Sequence, residues 1–164
     1  MKLPYYFRII ALALLAFLES CSPNDEQLAE GYLNATANEE EYISSAQSGG
    51  LMMDRYSTDL GTISFQLSST SDDNKNIAFV IPNFNGIGIY NIKQLNGSWM
   101  EFSSGTDRWH FDRHQAYSNE SDYIEIINIS KNNIEGKFLC HNMINQNTAE
   151  KLVLQGEFKG KLLH

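Results

Sequence analysis

The densest group of chemically capable side chains is Asp107-Arg108-Trp109-His110-Phe111-Asp112-Arg113-His114, which sets two histidines and two acids within eight residues. Histidine and carboxylate can together ligate a metal or move a proton, provided that the backbone brings them to one point. On a strand His110 and His114 fall on one side but roughly 13 Å apart at 3.3 Å per residue, too far to share an ion. Trp109 and Phe111 alternate with Arg108, His110 and Asp112 in the period of two that a half-buried strand shows. The expectation is a strand, or its end, with rings inward and charges outward, and no metal. A competing reading is recognition. From Gly105 to Asp122 the chain mixes aromatics, amides and charges, as a loop does when it stacks on and hydrogen-bonds a polar ligand such as a glycan or a peptide. In that reading the segment is a ligand-facing rim, and Trp109, His110 and Tyr117 carry it.

Other motifs point away from catalysis. Gly86-Ile87-Gly88-Ile89-Tyr90-Asn91 has two glycines of a dinucleotide fingerprint but lacks the third, and Tyr90 stands where helix packing needs a small residue. The chain has no Gly-x-Ser-x-Gly elbow, no His-Glu-x-x-His, no cysteine pair with zinc spacing and no phosphate loop. Scattered acids could serve a glycosidase, as they could in any acidic domain of this size. A non-catalytic protein without a cofactor is the expectation, and a small hydrolase is the least favoured alternative.

Two cysteines remain. Cys140 sits in Glu135-Gly-Lys-Phe-Leu-Cys-His-Asn-Met143, a strand-like stretch with no partner thiol or basic cluster to activate it, and reads as a small buried hydrophobe rather than a reactive thiol. Cys21 has a different setting. Met1 to Arg8 carries Lys2 and Arg8 and no acid, Ile9 to Leu18 is wholly apolar, and Glu19 to Glu26 turns abruptly polar, which is the layout of a secretory leader. An apolar block about half the roughly 20 residues needed to cross a bilayer is too short for a transmembrane helix.

Leu18-Glu19-Ser20-Cys21 resembles the bacterial lipobox, with an aliphatic residue three places before the cysteine and a small one just before it; Glu19 stands where a small or aliphatic residue is usual, which keeps ordinary cleavage near Ser20 as an alternative. The resemblance implies lipidation of Cys21, with several acyl chains where one alone would hold only marginally. Pro23, Asn24, Asp25 and Glu26 resemble the acidic export signal of surface lipoproteins in Bacteroidota-type bacteria, which implies outer-membrane anchoring with the domain facing the periplasm or the cell surface.

The precursor has 12 basic and 20 acidic side chains; loss of Lys2, Arg8 and Glu19 with the leader leaves 10 against 19 and a net charge of −9. Nucleic acid is excluded as a partner on that balance. An anionic lipid surface would also repel the chain, which suits attachment by acyl chains rather than by a basic patch. The 144 residues after position 20 suffice for one domain. With Cys21 acylated, no internal disulfide can form, so stability must come from the core.

The elements that would position any site are strands. Thr62 to Ser68 alternates without error, as a strand with one wet face does. Asn76 to Ile81 is apolar on both phases and stops at Pro82, which predicts a strand covered on both sides, with Ser68 to Asn76 supplying the turn. Tyr123 to Ile129 changes phase, and a bulge near Ile126 would put Ile124 and Ile126 on one face despite Ile127 and Ile129. Ile134-Glu-Gly136-Lys-Phe138 and Leu154-Gln-Gly156-Glu-Phe158 repeat one pattern and predict a hairpin joined by His141 to Glu150, its glycines relieving crowding against backbone or a ring. Asn38 to Gln47 could make one turn of helix. With strand signals every 8 to 14 residues and no capped helical period after residue 50, the fold class is all-β, an antiparallel sandwich or flattened barrel following the leader.

The order of these pieces resembles a family of small domains of unknown function on Bacteroidota-type lipoproteins. Tyr32 to Tyr42 stands for its Ala-rich first strand and turn, Gly88-Ile89-Tyr90 for its Gly-x-Tyr strand, and Gly136 to Phe138 with Gly156 to Phe158 for its closing Gly-x-Phe pair. Asn38-Glu39 and Tyr42 replace the Asn-Gly and Trp often found in its first turn. The resemblance spans most of residues 28 to 160 and implies a fold and a location but no active site. The resulting organisation is a lipoprotein signal peptide over 1–20, a lipidated cysteine and polar tether over 21–30, and a single β domain over 31–164. The expected role is a lipid-anchored envelope protein with a non-catalytic ligand-binding or structural domain, whose partner beyond the membrane is a glycan or an envelope protein. The alternative is an accessory subunit or inhibitor that docks onto an envelope complex.

Overall fold

A computed structural model describes residues 31–46, 50–92, 97–111 and 122–163, so the leader and Cys21 lie outside the described residues. The strands are β1 (Tyr32–Ala37), β2 (Glu40–Ser45), β3 (Leu51–Ser57), β4 (Ile63–Thr70), β5 (Lys75–Ile81), β6 (Gly88–Asn91), β7 (Trp99–Ser104), β8 (Asp107–Phe111), β9 (Tyr123–Ser130), β10 (Asn133–Asn145) and β11 (Lys151–Lys161). They form one antiparallel sheet in the order β2-β1-β11-β10-β8-β7-β5-β4-β3. The architecture is all-β, a sheet curled into a flattened barrel that its ladder does not close.

Strand β10 is where the sheet forks. Its first half pairs with β9, which carries β6 beyond it, and Met143 to Asn145 pair with β8. The fork is possible because the register against β11 shifts between Cys140 and Met143, so both of those residues point inward although they are three apart. A second bulge lies on β9. Glu135 faces Asn128 while Gly136 faces Ile126, leaving Ile127 unpaired and exposed and Ile124 and Ile126 both buried, as the change of phase in the sequence requires.

The interior is a cluster of phenylalanines. Phe79 on β5 lies 5.9 Å from Phe138 on β10 and 5.4 Å from Phe158 on β11, and Phe65 on β4 lies 6.3 Å from Phe158. These rings join two layers that are not neighbours in the ladder. The register makes the contact fit: Gly136 pairs with Phe158 and Phe138 with Gly156, so each ring lies over the other strand's glycine. A Cβ on Gly136 would meet Phe158 Cζ at 2.5 Å, and one on Gly156 would meet Phe138 Cζ at 2.8 Å, so the glycines do relieve ring crowding.

Three expectations need correction. Strand β5 is covered on one face only: Ile77, Phe79 and Ile81 are buried, while Ala78 and Val80 are half-exposed because no second layer covers that side. The segment read as a helical turn, Asn38 to Gln47, contains strand β2, whose Tyr42 and Ser44 face inward in period two. The Asn-rich connection is shorter than its composition suggests, since β10 runs on to Asn145, whose buried side-chain Oδ1 accepts from the N–H groups of Asn147 and Thr148 and so shapes the turn itself.

The β1–β2 connection is a two-residue turn in which Asn38 and Glu39 both have positive φ, 48° and 73°. This is the backbone an Asn-Gly turn would adopt. Asn38 also bolts the hairpin to β11, donating its backbone N–H to Val153 O at 3.0 Å and accepting the Val153 N–H on its side-chain Oδ1 at 2.8 Å.

Where the ladder fails to close, side chains bridge the two sheet ends. Tyr42 Oη on β2 and Ser69 Oγ on β4 are 2.6 Å apart, Ser44 Oγ donates to Thr70 O at 2.9 Å, and Lys75 Nζ reaches Glu40 at 3.1 Å. Burial pushes the Tyr42 phenol above its ordinary value of 10.0, against the lowering effect of its hydrogen bonds. Because the folded form holds that proton more tightly than the unfolded one, stability is complete below pH 10.0 and falls as pH rises through the folded value. Tyr42→Phe is expected to flatten this alkaline loss while costing about 1 kcal/mol at neutral pH for the missing hydrogen bond; urea midpoints measured across the alkaline range check both parts. Gly136→Ala and Gly156→Ala are each expected to destabilise the fold by about 1–3 kcal/mol through overpacking, read as a lowered urea midpoint.

Candidate functional site

The four residues singled out from the sequence do not assemble as a group among the described residues, because Cys21 and Tyr117 lie outside them and the other two diverge. Trp109 and His110 occupy opposite faces of β8, since successive side chains of a strand alternate. The Trp109 indole is buried, 5.5 Å from Phe102, and its Nε1 has no hydrogen-bond partner among the described residues. His110 is half-exposed, with Nδ1 3.2 Å from Glu101 Oε2 across the ladder and its ring 6.4 Å from Trp99. The alternation read from Arg108 to Phe111 is therefore the one observed: rings of Trp109 and Phe111 inward, Arg108 and His110 outward. His114 lies outside the described residues. No three His, Cys, Asp or Glu converge into a metal-holding group among those described.

Among the described residues, one acid is wholly buried. Asp122 precedes β9, and its Oδ1 accepts from the His141 N–H and lies 2.9 Å from His141 Nδ1, while Cys140 Sγ stands 3.8 Å from Oδ2. The arrangement has a structural logic. The β10 bulge removes the His141 N–H from the ladder, and the Asp122 carboxylate accepts it in place of a strand partner. Cys140 is fully buried, as a small hydrophobe would be, with its thiol directed at this carboxylate.

A cavity lies on the outer face of the sheet. It is an open trough of about 590 Å³ across β2, β1, β11, β10 and β9. The registers align its side chains in two rows perpendicular to the strands. Ile43, Asn34, Glu157, Lys137 and Glu125 make one row; Glu41, Thr36, Gln155, Leu139 and Tyr123 make the other. Short side chains, Asn34 and Thr36, stand on β1 between longer ones on both sides. A second hollow of about 570 Å³ adjoins at Thr36 and Gln155 and runs toward the Asn38-Glu39 turn.

The electrostatics of this face are acidic. Lys137 Nζ lies 3.0 Å from Glu125 Oε2, which holds the ammonium above its usual pKa. Glu41 and Glu157 have no ion-pair partner among the described residues. Burial first, and then the charges of Glu157 and Glu135, push the Tyr32 phenol up beside the trough. The chain thus offers amide, carboxylate and hydroxyl groups with apolar carbon at Ile43, Leu139 and Tyr123, a composition suited to a polar ligand.

Sequence reasoning did not find this surface. The outward positions of the β10–β11 hairpin, Lys137, Leu139, Gln155 and Glu157, follow from the same period that placed Phe138 and Phe158 inward. What no local signal announces is the pairing of β1 with β11, which joins Asn34 to Glu157 and Thr36 to Gln155 across more than a hundred residues.

The chain matches no family model, no curated protein and no solved structure. The reading of its site therefore rests on its own geometry.

Asp122→Ala is expected to lower stability by about 2–3 kcal/mol, the usual scale for hydrogen bonds to a charged group. Asp122→Asn should cost less, because an amide oxygen still accepts from the His141 N–H. Chemical denaturation of the two variants side by side separates these outcomes.

Proposed function

We propose that this chain is a lipid-anchored cell-envelope protein whose β domain is a non-catalytic ligand-binding module, with the outer-face trough as its binding surface. The two aligned rows of side chains across five strands carry the binding half of this reading. The hollow of about 590 Å³ is lined by amides, acids and a half-buried tyrosine, a lining suited to a polar ligand. Support for the anchoring half comes from the basic start, the short apolar block and Leu18-Glu19-Ser20-Cys21. Nine residues separate Cys21 from Gly31, a tether of at most roughly 35 Å, so the domain would work within one protein diameter of an outer membrane, on its periplasmic or outward side.

Trp109 leaves the binding group in this reading, because a ring packed inward on Phe102 has no face to stack on a ligand. The residues that replace it are Asn34, Gln155 and Tyr123. A second reading, docking onto a protein of an envelope complex, is favoured by one observation. Ile87 just before β6, Ile89 on it and Ile127 on the β9 bulge are 64%, 66% and 46% exposed, and β6 is only four residues long.

Expression of the full precursor in a lipoprotein-processing Gram-negative host tests the anchor. Wild-type chain is expected to incorporate an alkyne fatty acid, to sediment with membranes and to begin at a modified Cys21 by mass spectrometry. Cys21→Ala is expected to lose the label and appear in the soluble envelope fraction. A wild-type mature chain carrying an unmodified thiol at Cys21 would overturn the proposal.

A further inference from the structure

We propose that the ligand of the outer-face trough is an uncharged, extended oligosaccharide lying across the strands; this deepens the ligand-binding reading above and rests on it. Three properties of the face select that chemistry. The first is that recognition must come from side chains alone. Along β1, β11 and β10 both strand edges are taken up by ladder neighbours, so few backbone groups remain for a ligand to pair with. An extended peptide gains affinity by pairing its own backbone with a free strand edge; β2 ends the ladder, so a peptide could pair only along that outer strand and not across the five. A saccharide needs no such edge. Each hydroxyl donates one hydrogen bond and accepts others; the amides of Asn34 and Gln155 both donate and accept, and the carboxylates of Glu41 and Glu157 accept.

The second property is charge. Lys137 is the only cation of the two rows, and Glu125 holds it at 3.0 Å. Glu41 and Glu157 leave the hollow negative, in a mature chain of net charge −9. Sulfated, phosphorylated or uronate-rich ligands would be repelled, whereas a neutral glycan meets no such field.

The third is shape. Five strands at about 4.8 Å spacing make a surface roughly 19 Å long, which fits a short chain of sugar rings and exceeds a single one. Apolar carbon is available at both sides of it, from Ile43 on β2 and from Leu139 and the half-buried ring of Tyr123 on β10 and β9. Pyranose rings present C–H faces that pack on such carbon while their edges hydrogen-bond between.

The mature full-length chain, held in detergent micelles, can be titrated calorimetrically with neutral gluco-, xylo- and manno-oligosaccharides, with an oligouronate and with a lysine-rich peptide. At least one neutral oligosaccharide is expected to bind. The double variant Asn34→Ala, Gln155→Ala is expected to weaken that binding about tenfold, on the scale of two lost hydrogen bonds, with an unchanged far-ultraviolet spectrum and urea midpoint. The double variant Glu41→Gln, Glu157→Gln is expected to gain affinity for the oligouronate relative to the neutral glycan, because the repelling charges are gone. Neutral-glycan binding that survives the Asn34→Ala, Gln155→Ala change would overturn the assignment to this trough. Binding of the basic peptide in place of any neutral glycan, lost in the Glu41→Gln, Glu157→Gln variant, would overturn the saccharide and leave the binding-module reading standing. Binding of none of the probes would overturn both.

Discussion

The reciprocal placement of Gly136 under Phe158 and Gly156 under Phe138 is the constraint on which the rest of the barrel depends. Two aromatic rings on adjacent strands cannot both lie flat toward the interior unless the residue opposite each has no side chain. With the glycines in place the rings lean across the pair and reach Phe65 and Phe79 on the far layer. That contact draws the long sheet into a barrel. It also fixes register: a slip of one residue between β10 and β11 would set Phe against Glu or Lys and turn every inward side chain out.

The same strand pair carries the structure's main irregularity. A regular β10 could not serve both β9 and β8 along one edge, because those strands lie in different parts of the curl. The bulge at His141 and Asn142 changes its direction between the two. The cost of the bulge is a backbone N–H without a ladder partner, and the wholly buried Asp122 meets it. A buried acid beside histidine and cysteine would ordinarily suggest chemistry. The bond from the His141 N–H has a structural purpose, since it replaces a ladder bond that the bulge removes.

How far the fold was legible depended on the range of the interaction that decided each element. Period two in Thr62–Ser68, the repeated Gly-x-Phe and the change of phase at Ile126 are local, and each led to the right strand or bulge, although at the start of β4 Ile63 is exposed and Ser64 buried, against the alternation that holds for Phe65 and Leu67. Asn76–Ile81 misled because Ala78 and Val80 are apolar but lie on the outer face, where apolar residues are common and carry no information about a second layer. Asn38 to Gln47 misled because the acids Glu39, Glu40 and Glu41 suit a helix start, while the decisive features are non-local: Asn38 anchored on β11 and Tyr42 on Ser69. Trp109 was correctly placed inward by alternation, yet the richness of its neighbourhood also drew the ligand reading toward it.

The outer rows were illegible for a more specific reason. Each residue in them looks like an ordinary solvated position, and Asn34, Gln155 and Lys137 acquire meaning only as neighbours. Their adjacency is nevertheless a consequence of the interior, since pairing Gly136 with Phe158 and Ala35 with Gly156 forces Lys137 beside Glu157 and Glu157 beside Asn34 on the opposite face. A strand has one register for both of its faces. The packing of four phenylalanine rings inside the barrel thereby determines which polar groups stand together outside it, and a site on this face needs no loop to hold it in position.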